Sequence, residues 1–257
     1  MNKYWKAALS GIGLVAFNAP LPAFAQSRAM STIWTILPAA ELPGERFIAS
    51  NEWVIQQRLL PEGLFRLEGP ASVAGGLPLL QAGTQLIEIR AEGATIACDA
   101  VARRQKLVGA SQFCLVDYDK DGAFDGIFPV ANISKGGGLP TVQGAYPKKA
   151  KVIEPVAYSR IDPAQIESSY FVGIRNAGKA TIYDWQNFQV CYGSGSKTDC
   201  LSDYSRTSAS TFPQSFNVLG AQVTVLARED GKVRVRVDSA MPSQPFGIIS
   251  TTTYRIQ

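Results

Sequence analysis

Apolar and polar residues alternate in short runs along most of this chain, and Gly, Pro or Asp cuts each run. The clearest case lies near the C-terminus. Gln222–Arg228 reads Q-V-T-V-L-A-R and Lys232–Asp238 reads K-V-R-V-R-V-D, with Glu229-Asp230-Gly231 between them. Val233, Val235 and Val237 fall on one face and Arg234 and Arg236 on the other, which predicts a hairpin with one wet face. Trp53–Leu60 and Leu64–Leu67 flank Pro61-Glu62-Gly63, a turn in which Pro presets φ and Gly is free to take φ > 0. Further strands are predicted at Gln85–Arg90, Thr95–Val101, Gln112–Val116, Ser169–Arg175, Thr181–Tyr192 and Gly247–Ile256. No run beyond the first 25 residues repeats at helical spacing. The expectation is an all-β, mostly antiparallel fold: a sandwich or barrel, or two small β domains.

The ends refine this picture. Lys3 and Lys6 open the chain, an apolar stretch runs from Ala7 to Ala19, and Ala23-Phe24-Ala25 closes the segment. These are the basic, apolar and A-x-A regions of a signal peptide, predicting cleavage after residue 25 and a periplasmic or secreted protein. The apolar run is shorter than the roughly 20 residues a membrane-spanning helix needs. No later run reads as a transmembrane helix. Removing Lys3 and Lys6 lowers the net charge from +4 to +2, too little to argue for nucleic acid. Glycines, prolines and a small basic cluster at 134–150 predict a linker or long loop between β-rich regions 26–133 and 151–257.

The chemistry is bounded by what is rare. The chain has no histidine, which excludes Ser-His-Asp and Cys-His catalysis and histidine-ligated metals. Its four cysteines, Cys98, Cys114, Cys191 and Cys200, predict two disulfides in an exported protein. Proximity favours Cys98–Cys114 and Cys191–Cys200, one in each β-rich region. A four-thiolate zinc site would want C-x-x-C pairs, and neither pair has that spacing.

One loop carries a metal signature. Asp117, Asp119 and Asp121 alternate, Gly122 follows, and Asp125 lies four beyond Asp121. This resembles the first nine positions of the EF-hand calcium loop. The resemblance implies oxygen ligands from Asp117, Asp119, Asp121, the Ala123 carbonyl and Asp125, with Gly122 at the sharp turn. Phe128 stands where that family has a bidentate Glu, and the flanks read as strand rather than helix. Asp99 is one candidate for the missing oxygen. The competing reading is a metal-free acidic turn, since Asp and Gly are residues that turns favour.

Other motifs are weaker. Ser194-x-x-Lys197 and Lys197-Thr198 sit in a Gly/Ser tract between two cysteines, without the helix or glycines that penicillin-binding or nucleotide sites require. Asp238-Ser239-Ala240 is a partial echo of an aspartic protease signature. Aromatics are dense between Tyr170 and Tyr204 and predict either a β core or a stacking surface for sugars or a partner. Arg234 and Arg236 could form a stripe for an acidic glycan or a solvated face. The function these features favour is an exported, non-catalytic β module of the cell envelope. It would bind a partner protein or glycan, with calcium as a stabilising ion. A histidine-free hydrolase of envelope or extracellular polymer and a small outer-membrane barrel are the alternatives.

Overall fold

The computed structural model describes residues 28–73, 75–101, 103–105, 109–131, 138–180 and 183–248, without side-chain detail for 103–105, 109–111, 203 and 204. The segment expected to be a signal peptide lies outside the described residues, as does 249–257, most of the predicted last strand. Apart from one 3-10 turn at Pro163–Gln165, the described elements are strands, numbered here in chain order.

Six strands close into a barrel. They are β5 (Leu64–Leu67), β8 (Gln85–Ala91), β9 (Thr95–Asp99), β11 (Gly109–Asp117), β12 (Ala123–Ala131) and β14 (Lys151–Ile161). β9 pairs antiparallel with both β8 and β11, so the order β9-β11-β12-β14-β5-β8 returns to its start. Alternation then sorts side chains inward and outward. Phe65, Leu86, Ala97, Leu115, Phe124 and Val156 belong to the core the ring encloses. Their neighbours Ile96, Cys98, Cys114 and Val116 point the other way, into a second cluster with Met30, Val142 and Tyr146. β1 (Ala29–Ser31) pairs β8, and β13 (Gln143–Ala145) pairs β1, which covers that outer face. β10 (Arg103–Gln105) extends β11. A short ribbon of β6 (Ala71–Ser72) and β7 (Pro78–Leu80) delivers Leu80 to the barrel core.

The second body is a half-barrel. A six-stranded antiparallel sheet runs in the order β17 (Lys197–Ser208), β16 (Trp185–Ser194), β15 (Tyr170–Lys179), β4 (Trp53–Pro61), β2 (Trp34–Ile36) and β21 (Gln244–Phe246). It shares one core with a four-stranded sheet of β18 (Gln214–Val218), β19 (Ala221–Glu229), β20 (Lys232–Ser239) and β3 (Arg46–Ile48). Val233, Val235 and Val237 are buried as their alternation requires. They meet Trp34, Val172 and Phe188 of the facing sheet in that core.

From residue 138 onward, the stretch 134–150 is packed: Leu139, Thr141 and Val142 are buried. Strands from both sides of it share each body. β14 joins β12 and β5 in the barrel, and β15 joins β4 in the half-barrel. Both expected disulfides form, Cys98–Cys114 and Cys191–Cys200, each across directly paired strands. Among the described residues, no helix is long and apolar enough to cross a membrane.

Candidate metal centre

The acidic motif is the tip of the β11–β12 hairpin. Asp117 ends β11 and continues the inward face of Leu115, so its carboxylate is fully buried at one mouth of the barrel. A buried carboxylate must be hydrogen-bonded. Its Oδ1 accepts the Lys120 amide (2.6 Å), and its Oδ2 accepts the Gly122 amide (3.2 Å) and the Tyr158 hydroxyl (2.8 Å). Two left-handed residues, Lys120 (φ 62°) and Gly122 (φ 94°), curl the loop so that these amides turn inward. Gly122 thus occupies the sharp turn expected of it.

The curl gathers the acids. Asp117, Asp119 and Asp121 each place a carboxylate oxygen within 4.8 Å of the others, with Asp119 and Asp121 exposed. Asp121 Oδ1 accepts the amide of Ala123, the first residue of β12 (2.9 Å). Asp125, on β12, lies outside that trio of oxygens but close enough to feel their charge. Opposite it β14 bulges: Phe124 pairs Val156 and Gly126 pairs Val152, so three residues, including Pro155, face the single Asp125. Asp125 Oδ1 is buried and has no hydrogen-bond partner among the described residues. Burial raises the Asp125 carboxyl above its ordinary range, its own backbone amide opposes this, and the charges of Asp119, Asp117 and Asp121 raise it further.

Tyr158, on β14, ties the hairpin to the barrel. Its ring stacks on Phe124 at 4.1 Å and meets Phe65 edge-on at 5.0 Å. Its hydroxyl is pushed up to about 12, first by burial and then by the bond to Asp117, while Thr95 pulls the other way. Thr95 is itself paired with Asp117 across β9 and β11.

Of the five sequence-derived ligand positions, the structure brings the carboxylates of Asp117, Asp119 and Asp121 together at the hairpin tip, with Ala123 opening β12 and Asp125 two residues further along it. Asp99 does not join them. It stands at the far end of β9 from Thr95, where Oδ1 accepts the Val101 amide (2.9 Å). Phe128, at the twelfth loop position, pairs Cys114 and packs in the apolar cluster outside the ring. Tyr158 had no signal in sequence: it lies 41 residues from Asp117 in a strand interrupted by Pro155.

The chain matches no family model, no curated protein and no solved structure. An all-oxygen donor set with several carboxylates suits a hard cation such as calcium. The orphaned, buried Asp125 oxygen fits that assignment. Asp117 has three of its roughly four acceptor sites occupied, which leaves one for an ion.

The other sequence candidates are placed differently. The basic stripe is neutralised: Arg234 pairs with Glu45 at 3.4 Å and Arg236 with Asp238 at 2.7 Å. Hydrogen bonds from Thr224, then Arg236, hold the Asp238 carboxyl below its usual range. Tyr170, Phe188 and Tyr192 are core residues. Tyr183 and Trp185 are exposed, beside an Asp184 whose carboxyl is lowered by Ser210, then Lys179, with a further contribution from Arg228.

Proposed function

We propose that this chain is an exported, non-catalytic β module of the cell envelope, binding a partner protein or glycan and stabilised by calcium at its acidic hairpin. The observation that carries the metal is the trio of Asp117, Asp119 and Asp121 oxygens within 4.8 Å of one another, whose charges also act on Asp125, itself carrying a buried oxygen with no partner among the described residues; such a gathering is costly without a cation. Asp117, Asp119, Asp121 and Asp125 would hold the ion with side-chain oxygens, and Ala123 with its carbonyl. The ion would supply charge neutralisation and no catalytic step. Without the twelfth-position ligand, affinity should fall in the millimolar range of extracellular modules. Two disulfides favour an oxidising compartment. The barrel encloses apolar side chains, while β14 turns Lys151, Glu154 and Arg160 to solvent, the inverse of a lipid-facing barrel.

The test is a thermal melt of the oxidised protein in chelator and in about 10 mM calcium, beside Asp119→Ala. A dissociation constant near 1 mM predicts about 1.4 kcal/mol, or a few degrees. A rise in wild type that Asp119→Ala abolishes supports the site. No rise in wild type removes it.

A further inference from the structure

The turn into β16 presents two aromatic rings to solvent. Tyr183 is 57% and Trp185 38% exposed, and the rings stack with centroids 4.7 Å apart and planes at 19°. Exposing so much aromatic surface forfeits the burial that drives folding, so a single exposed ring is unremarkable but an ordered pair asks for a use.

The pair is held rigidly. The Trp185 amide donates to the Tyr183 carbonyl (2.8 Å), the Ala180 amide to the Trp185 carbonyl (2.9 Å) and the Ala209 amide to the Asp184 carbonyl (3.0 Å). Asp184, between the two aromatics in sequence, accepts the Ser210 hydroxyl with its side chain and pairs with Lys179 at 3.1 Å. On β17 the Arg206 guanidinium lies 4.8 Å from the Trp185 ring centroid. Such a surface is organised before any ligand arrives, which lowers the entropy cost of binding.

Charge selects the ligand. Arg206 lies over the Trp185 ring, and Lys179 and Arg228 both act on the carboxylate of Asp184, which stands between the two aromatics in sequence. Lys179 is matched by Asp184, while Arg206 makes no ion pair among the described residues and presents donors beside the rings. An aromatic face, negative at its centre, attracts the polarised C–H face of a pyranose ring. A guanidinium fork binds a carboxylate with two parallel hydrogen bonds.

We propose that Tyr183, Trp185 and Arg206 form a binding platform for an acidic polysaccharide, a uronate-containing glycan of which one sugar face stacks on Tyr183 while the carboxylate of another sugar along the same chain meets Arg206 on the other side of Trp185. This names the ligand class of the binding role proposed above and rests on that reading, but not on the calcium site.

The test is affinity electrophoresis of the oxidised protein through gels containing polygalacturonate or neutral dextran, in chelator so that calcium cannot bridge. Polygalacturonate should retard wild type and dextran should not. Tyr183→Ala and Arg206→Gln should each weaken retardation about tenfold with melting temperatures unchanged. Raising NaCl from about 50 to about 500 mM should weaken it as well. Equal retardation by dextran, no retardation by polygalacturonate, or full retardation of Tyr183→Ala would each overturn the proposal. A calcium-dependent melt that persists when polygalacturonate fails to bind would show that only the platform is wrong.

Discussion

The Tyr158 hydroxyl donates to Oδ2 of Asp117 at 2.8 Å, so a residue of β14 holds the acidic hairpin 41 positions earlier in the chain. Tyr158→Phe keeps the ring stack on Phe124 and removes only this bond. Hydrogen bonds to charged groups contribute about 1.5–3 kcal/mol. The expected result is a melting temperature lower by roughly 4–8 °C in chelator, measured by circular dichroism. A drop of less than a degree would mean that the Lys120 and Gly122 amides suffice for Asp117.

Asp125→Asn separates the two readings of the loop by sign. The substitution conserves shape and deletes the buried, repelled charge. In chelator it should raise the melting temperature by roughly 1–3 °C. In calcium it should lose at least half of the wild-type gain, because a ligand charge is gone. A variant destabilised in chelator would place Asp125 in an ordinary favourable contact.

The pH dependence follows from the same residue. The Asp125 carboxyl titrates above its unfolded value, so above that raised value its ionised form costs the folded state stability, and acidification through it relieves the cost. Calcium needs the ionised form. The calcium-induced rise in melting temperature should therefore be constant from about pH 8 to 7 and shrink as pH falls through the raised value. Asp184 and Asp238 are lowered instead. Their contribution persists above the unfolded carboxylate value and is lost only in stronger acid. Melts at half-unit pH steps, with and without calcium, check both limbs. A calcium gain unchanged down to about pH 4 contradicts the assignment.

Cys98–Cys114 joins β9 to β11, two neighbours in the barrel ring, across 16 residues of sequence. Replacing both cysteines by Ala should cost about 3 kcal/mol by loop entropy, against about 2.6 kcal/mol for Cys191–Cys200, whose separation is 9. Urea melts of the two double variants, read at constant slope, give the comparison. If the Cys191–Cys200 variant loses much more, strain or packing outweighs chain entropy.

The elements legible in sequence are those with one wet face. β20 alternates cleanly because it turns its arginines outward and its valines to the core, whereas in β19 Val223, Thr224 and Val225 are buried in succession and two bulges break the register. β14 escaped detection because Pro155 and its bulge break the period opposite Asp125. β12 was hidden by the Asp-Gly and Pro residues that read as turn. Of the strand predicted from Thr181, Thr181 and Ile182 lie outside the described residues, and Tyr183 and Asp184 form a bend that stacks the two rings before β16 opens at Trp185. In the acidic loop, spacing was enough to expect Asp117, Asp119 and Asp121 to gather, because the curl that brings them together is local. Tyr158, Thr95 and the orphaned Asp125 oxygen depend on which strands become neighbours, and ring closure leaves no local trace beyond the Cys98–Cys114 pair.

The interleaving of early and late strands governs when this protein can fold. A chain emerging N-terminus first presents β5, β8, β9, β11 and β12 as an open sheet with two unpaired edges until β14 arrives to join β5 to β12. β4 likewise waits for β15, more than 100 residues later. Such long-range pairing makes for slow folding and a lengthy period of exposed edges. Neither body can therefore take shape before residues 151–179 have joined it, and a chaperone that shields bare strand edges would have its greatest effect while they are still to come.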